Sequence, residues 1–135
     1  MNDREIKIIS LRPLISSAQV NENTTSEESF QNTTLRPILK LQNPIFIALF
    51  SHYIKKHKNK FYSLSLEKRF EYIENAIQKD IKFRNSLKGV IIGLFSLEEY
   101  ELYLLNSSSF NKRMMKMLVE RLKDQIQIFE NQALV

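Results

Sequence analysis

Two charged residues on what reads as an apolar seam are the first candidates for chemistry. Asp80 and Arg84 stand four apart, the acid N-terminal to the base. On one helix that spacing puts both side chains on one face, close enough to pair. Leu66, Phe70, Ile73 and Ile77 set a seam that returns at Leu87 and Ile91. At about 100° per residue, Asp80 and Arg84 fall within about 40° of it. The structural reading is a half-buried salt bridge that fixes register. The functional reading is a binding site in which Arg84 holds an anionic ligand or a partner carboxylate and Asp80 orients it. Catalysis by Asp80 as a base would need a second carboxylate, a histidine or a metal set beside it, and the sequence places none there.

The second candidate is the run KKHKNK at residues 55–60. Lys55, Lys56 and Lys58 are the right residues for contacting phosphate, with Tyr53, Phe61 and Tyr62 close by in sequence as stacking groups. Cations at the end of a helix also complement its dipole, which accounts for the lysines without any ligand. Phe61 reads better as core. His52 and His57 are five apart, about 140° on a helix, and so cannot share a metal. The chain has no cysteine, which excludes thiolate metal sites, disulfides and a cysteine nucleophile. No metal site and no cofactor is expected. The serines at 107–109 lack the GxSxG turn of a nucleophile elbow.

The elements that must position these residues read as helices. Glycine is scarce at 2 and proline at 3, where a sheet protein would use both in turns. Thr34 is placed to cap a helix with Pro37 in its first turn. Leu35, Leu39, Gln42, Phe46, Leu49 and Tyr53 follow at helical spacing. The stripe crosses Asn43 and Pro44 in phase, so one kinked helix is expected there in preference to a new helix starting at Asn43. Ser65 caps the next helix, read as the central one and as running past Asp80 and Arg84 to about residue 94. Gly89 and Gly93, with Ser86, form a small-residue strip for close approach of another backbone, unless Lys88 and Gly89 are a helix cap.

Ser96, Leu97, Glu98 and Glu99 make a capping box. The short helix it opens is expected to turn Leu97, Tyr100 and Leu104 inward and Glu98, Glu99 and Glu101 outward. A loop at residues 106–109 then leads to a last helix over residues 110–130, with Phe110, Met114, Met117, Leu118, Leu122, Ile126 and Phe129 inward. The expected fold is all-α, an irregular four- to five-helix bundle over residues 35–135. Residues 1–34 are expected to be a flexible N-terminal arm, with a short helix near residues 26–32. The Ser, Thr, Asn and Glu of residues 16–34 bury too little apolar surface to offset ordering.

The 135 residues carry a net charge of +5. Residues 1–34 hold three basic and five acidic side chains, residues 35–135 seventeen basic and ten acidic. A basic folded part prefers anionic partners. No stretch has the length of a membrane span or of a signal-peptide core, so a cytoplasmic, soluble protein is expected, with no membrane partner. A homo-oligomer is compatible with the sequence.

The stretch LSLEKRFEYIENAIQKDIKFRNSLKGVIIGLFSLEEYELYLLNSSSFNKRMMKMLVERL resembles short helical bacterial proteins of unestablished activity, some of which carry the name glyoxalase. That name implies paired βαβββ modules and a metal held by His, Glu or Gln. The residues here lack a strand pattern for such modules, and no ligand transfers residue by residue. The expected function is a small binding or regulatory module that meets a protein or an anionic partner. The alternative is a basic protein associated with nucleic acid or the ribosome, and a third reading is an enzyme with its site near Asp80 and Arg84.

Overall fold

The computed structural model describes residues 2–15 and 25–132, and they contain helices and turns but no strand. The all-α expectation holds, with more and shorter helices than four or five. They are α1 (Asp3–Ser10), α2 (Ser26–Phe30), α3 (Arg36–Leu41), α4 (Asn43–Lys56), α5 (Leu66–Gln78), α6 (Ile81–Ile92), α7 (Leu97–Leu105), α8 (Ser107–Asp124) and α9 (Ile126–Gln132). A π-helical turn, Gln31–Leu35, joins α2 to α3, and a 3-10 turn, Lys60–Ser63, precedes α5. Among the described residues no helix is long and apolar enough to cross a membrane.

Several boundaries differ from the sequence reading, each for a local reason. Thr34 does not cap a helix. Its hydroxyl is buried and donates to Glu99 Oε2 at 2.6 Å, and the cap falls earlier, at Thr25, whose side chain accepts from the Glu28 N–H. The stripe through Asn43 and Pro44 is not one kinked helix. Gln42 leaves helical geometry at ψ 5° and α4 starts afresh, with Pro44 in its first turn, where a missing N–H costs nothing. Likewise the last helix divides at Gln125.

By their internal contacts the residues divide into two compact units. One comprises Met1–Asn43 with Lys88–Met114, the other Pro44–Leu87 with Met115–Val135. In the first, Phe30 sits edge-on to Phe95 at 5.5 Å and against Phe110 at 4.5 Å. α1 docks by charge. Glu5, buried, accepts from the Leu97 N–H at 3.0 Å, and Arg4 donates to the Gly93 carbonyl. Arg12 pairs with Glu99 through both terminal guanidinium nitrogens at 2.6 Å and also donates to the Leu94 carbonyl. The segments expected to be an arm are thus helical at Asp3–Ser10 and Ser26–Phe30, and residues 16–24 lie outside the described ones.

Three further expectations in this unit are corrected. Gly89 faces open space, since a Cβ built on it meets nothing within 4 Å. A Cβ on Gly93 meets only the Gly89 carbonyl, at 3.0 Å, so among the described residues no second backbone packs on a small-residue strip. α6 runs through Gly89 and ends at Ile92. The Ser96–Glu99 capping box is present, but α7 is rotated from its expected register. Leu97, Tyr100 and Leu104 are exposed and Tyr103 is buried. Glu99, expected outside, is held inside by Arg12, Thr34 and the Ser96 N–H. Burial pushes its carboxyl up, but those bonds outweigh it and hold the pKa below its usual value.

The second unit packs around Phe50. Its ring meets Phe61 at 5.7 Å and Tyr72 at 6.1 Å edge-on, and Phe129 at 5.0 Å. Phe50, Phe61 and Phe129 are fully buried, each contributing about 2 kcal/mol by removal from water. Phe61 is core, as its residue type suggested.

Candidate functional site

The site is assembled from the end of α4, the turn after it and the start of α6, all within the second unit. α4 ends at Lys56 in a Schellman motif. The Asn59 N–H donates to the Ile54 carbonyl at 3.0 Å and the Lys58 N–H to the Lys55 carbonyl at 3.1 Å, the paired 6→1 and 5→2 bonds of that cap. The residue in the left-handed position is Lys58, at φ 63°, followed by Asn59 at φ 58°. Glycine is the usual occupant there, because a Cβ in this conformation costs about 1–2 kcal/mol. Arg69 then fixes the following turn. It donates to the carbonyls of Phe61 and Tyr62, lies over the Phe61 ring and pairs with Glu130.

Asp80 is not on a continuous helix. α5 stops at Gln78, and Asp80 caps α6, its Oδ1 accepting from the Phe83 N–H at 3.2 Å while its carbonyl starts the ladder at Arg84. Its other oxygen accepts from the Tyr53 hydroxyl at 2.9 Å. The expected Asp80–Arg84 pair is therefore not formed. The carboxylate is committed to a cap and a phenol, and Arg84 is half-buried with its Nε lacking a hydrogen-bond partner. The Phe83 N–H, then the Tyr53 hydroxyl, with the His57 imidazole beside it, hold the Asp80 carboxyl below its usual pKa. Tyr53 moves the other way. Burial, then the bond to Asp80 and that carboxylate's charge, keep its hydroxyl protonated far above the usual phenol range.

Three rings stack across this junction. Phe83 lies against Tyr53 at 4.3 Å, and Tyr53 against His57 at 4.1 Å. His57 Nδ1 sits 2.8 Å from the Tyr53 carbonyl. A carbonyl only accepts, so Nδ1 carries the proton and Nε2 is left for solvent or a ligand.

Two neighbouring grooves share this stack. One, of about 390 Å³, is lined by Tyr53, Lys56, His57, Lys58, Lys60, Tyr72, Asn75 and Ala76. The other, of about 250 Å³, is lined by Leu49, His52, Tyr53, Lys56, His57, Asp80, Lys82, Phe83 and Ser86. Lys56, Lys58, Lys60 and Lys82 are exposed and form no ion pair among the described residues. Asp80 is the one carboxylate in either lining. The first unit has its own groove, about 450 Å³, bordered by Glu27, Glu98 and Glu99. There Glu27 and Glu99 are paired with Arg113 and Arg12.

Of the residues singled out from sequence, Lys56 and Lys58 line the first groove and Lys56 and Asp80 the second. Lys55 is exposed, and neither lining includes it or Arg84. Lys82, Tyr72 and Phe83 were missed as site residues, and Lys60 and His57 lie in the run 55–60 without being among the lysines named from it. The lysine run itself was a signal for Lys60 and His57. Phe83 and Lys82 are brought in by the break at Asp80, which the unbroken apolar spacing concealed.

The βαβββ modules that the glyoxalase resemblance implies have no counterpart, since the described residues contain no strand. Nor do those residues gather three His, Asp or Glu side chains that could hold a metal ion. Comparison of the chain with protein-family models, with curated proteins and with solved structures finds no match.

Proposed function

We propose that this chain is a cytoplasmic binding module that takes an anionic partner on the lysine-rimmed grooves at the end of α4. The observation that carries this reading is Lys58 at the left-handed cap position. Glycine would end the helix there with less strain. A lysine that costs local stability and lines a groove beside Lys56, Lys60 and His57 is accounted for by what its ammonium contacts. Four ammonium groups without an ion pair among the described residues, around one carboxylate, give the grooves a positive field that attracts anions and falls off with salt.

A catalytic reading has less support. Asp80 has a lowered pKa, which makes it a weak base, and Arg84 does not join it.

The test is retention on phosphocellulose at low salt. The Lys56→Glu/Lys58→Glu variant should elute at clearly lower salt than the unaltered chain, whereas Lys112→Glu/Lys116→Glu, with the same change in net charge, should elute later than the groove variant. Equal loss in both would reduce the effect to net charge and refute a localised site.

A further inference from the structure

From the same groove, and resting on the anion-binding reading above, we infer that the site takes a nucleoside phosphate, either free or as one unit of a single-stranded nucleic acid. The base would extend the Phe83–Tyr53–His57 stack and the phosphate would lie among Lys56, Lys58 and Lys60.

Three features point to this chemistry. First, the ring stack is open at one end. Phe83 and His57 both lie against Tyr53, at 4.3 and 4.1 Å, and Phe50 is parallel to it at 6.2 Å. His57 is exposed and, among the described residues, has no second ring partner. A planar heterocycle is the natural next layer, and every nucleobase offers one. Second, the groove combines an apolar floor with a cationic rim. Tyr72 and Ala76 form the one and three lysines the other. A bare phosphate leaves the floor uncovered, and an aliphatic acid such as a glutamate side chain has no flat surface to lay on it. A base joined to a phosphate satisfies both. Third, about 390 Å³ lies in the range of small-molecule sites, about 300–1,000 Å³. It has room for one nucleotide, and only an unpaired, unstacked base can lay its face on the His57 ring.

His57 is fixed for this role. Its Nδ1–H is held by the Tyr53 carbonyl, which restrains the ring and leaves Nε2 as an acceptor.

The experiment is fluorescence anisotropy with the full chain and a labelled ten-residue oligouridylate, between 50 and 200 mM salt. The same-length duplex, free UMP and poly-glutamate serve as competitors. The single strand should bind at least about tenfold tighter than the duplex. His57→Ala should weaken it about five- to tenfold with little change in salt slope, because stacking is lost and no phosphate contact is. His57→Phe should restore it. Lys58→Gly should lower the slope of log K against log salt by about 0.7, one phosphate contact on a single strand. Competition by UMP would assign the site to free nucleotides, and binding of the oligomer alone would assign it to a strand. Unchanged binding in His57→Ala, or poly-glutamate competing as well as the oligomer, would overturn the nucleotide while leaving an anion site. Binding of none of these anions at 50 mM salt would overturn both.

Discussion

The Tyr53 hydroxyl donates to Asp80 Oδ2 at 2.9 Å, across 27 residues of sequence. That bond ties the last turns of α4 to the first turn of α6 and sets the ring stack between them. Because Asp80 also accepts from the Phe83 N–H, one carboxylate orders both sides of the candidate site.

Asp80 therefore gives the protein an acid-sensitive joint. Its folded pKa lies below its unfolded value. The stability it contributes is full above the unfolded pKa, near 4, and is lost as pH falls through the folded value. Asp80→Asn keeps a capping side chain and should remove this part of the acid dependence in urea titrations run from pH 7 to pH 3. Asp80→Ala should cost about 1 kcal/mol at pH 7 through the lost cap.

Arg12 and Glu99 form the other long-range pair, at 2.6 Å with 10% and 15% of their side chains exposed. Arg12→Met leaves Glu99 inside without its main partner and should destabilise the chain by about 3 kcal/mol. Amide exchange over residues 3–10 should quicken in parallel, because Arg12 follows α1 directly. Unchanged exchange there would show that α1 is held by Arg4 and Glu5 alone.

Lys58→Gly should raise stability by about 1 kcal/mol, since glycine meets no penalty at φ 63°. Lys58→Ala should not, because alanine keeps the Cβ. Thermal denaturation of the two variants separates backbone relief from loss of charge. Equal melting temperatures would mean that the left-handed position carries no strain.

Gly89→Ala should stabilise by about 0.5–1 kcal/mol, the ordinary gain for an exposed helical site, since a Cβ there meets nothing within 4 Å. A loss of stability would restore the close-packing reading of the glycine strip.

Tyr72 has a buried hydroxyl with no hydrogen-bond partner among the described residues, and burial raises its pKa. Tyr72→Phe should be neutral or stabilising by about 1 kcal/mol, since an unpaired buried polar atom is removed and the ring stays. A clear loss in equilibrium unfolding would reveal a bond made by that hydroxyl in solution.

What sequence revealed followed the reach of each signal. The capping box at Ser96, the cap at Ser65 and the helix near residue 26 are local and were legible. Phe61 as core was legible too, from its residue type. The site was half legible. Lysines 56 and 58 announce themselves, and Asp80 stands out on an apolar seam, but its role was misread. Apolar spacing can continue in phase through a helix break, so the seam from Leu66 hid the cap at Asp80, and the stripe from Leu35 gave no sign of the fresh start at Asn43. The exposed face of α7 was illegible for a different reason. The pattern Leu97, Tyr100, Leu104 competes with Tyr103, and Glu99 goes inside only because Arg12 and Thr34, 87 and 65 residues away, meet it there. Tyr53 and Asp80 likewise needed the fold to bring them together.

The proposed anion site lies where α4 ends and α6 begins. The most direct measurement is the change in backbone amide shifts as the oligouridylate is added at 50 mM salt. The largest changes are expected over residues 53–62 and 80–86, reversed by added salt. Changes centred on α7, or none at saturating oligomer, would contradict that site.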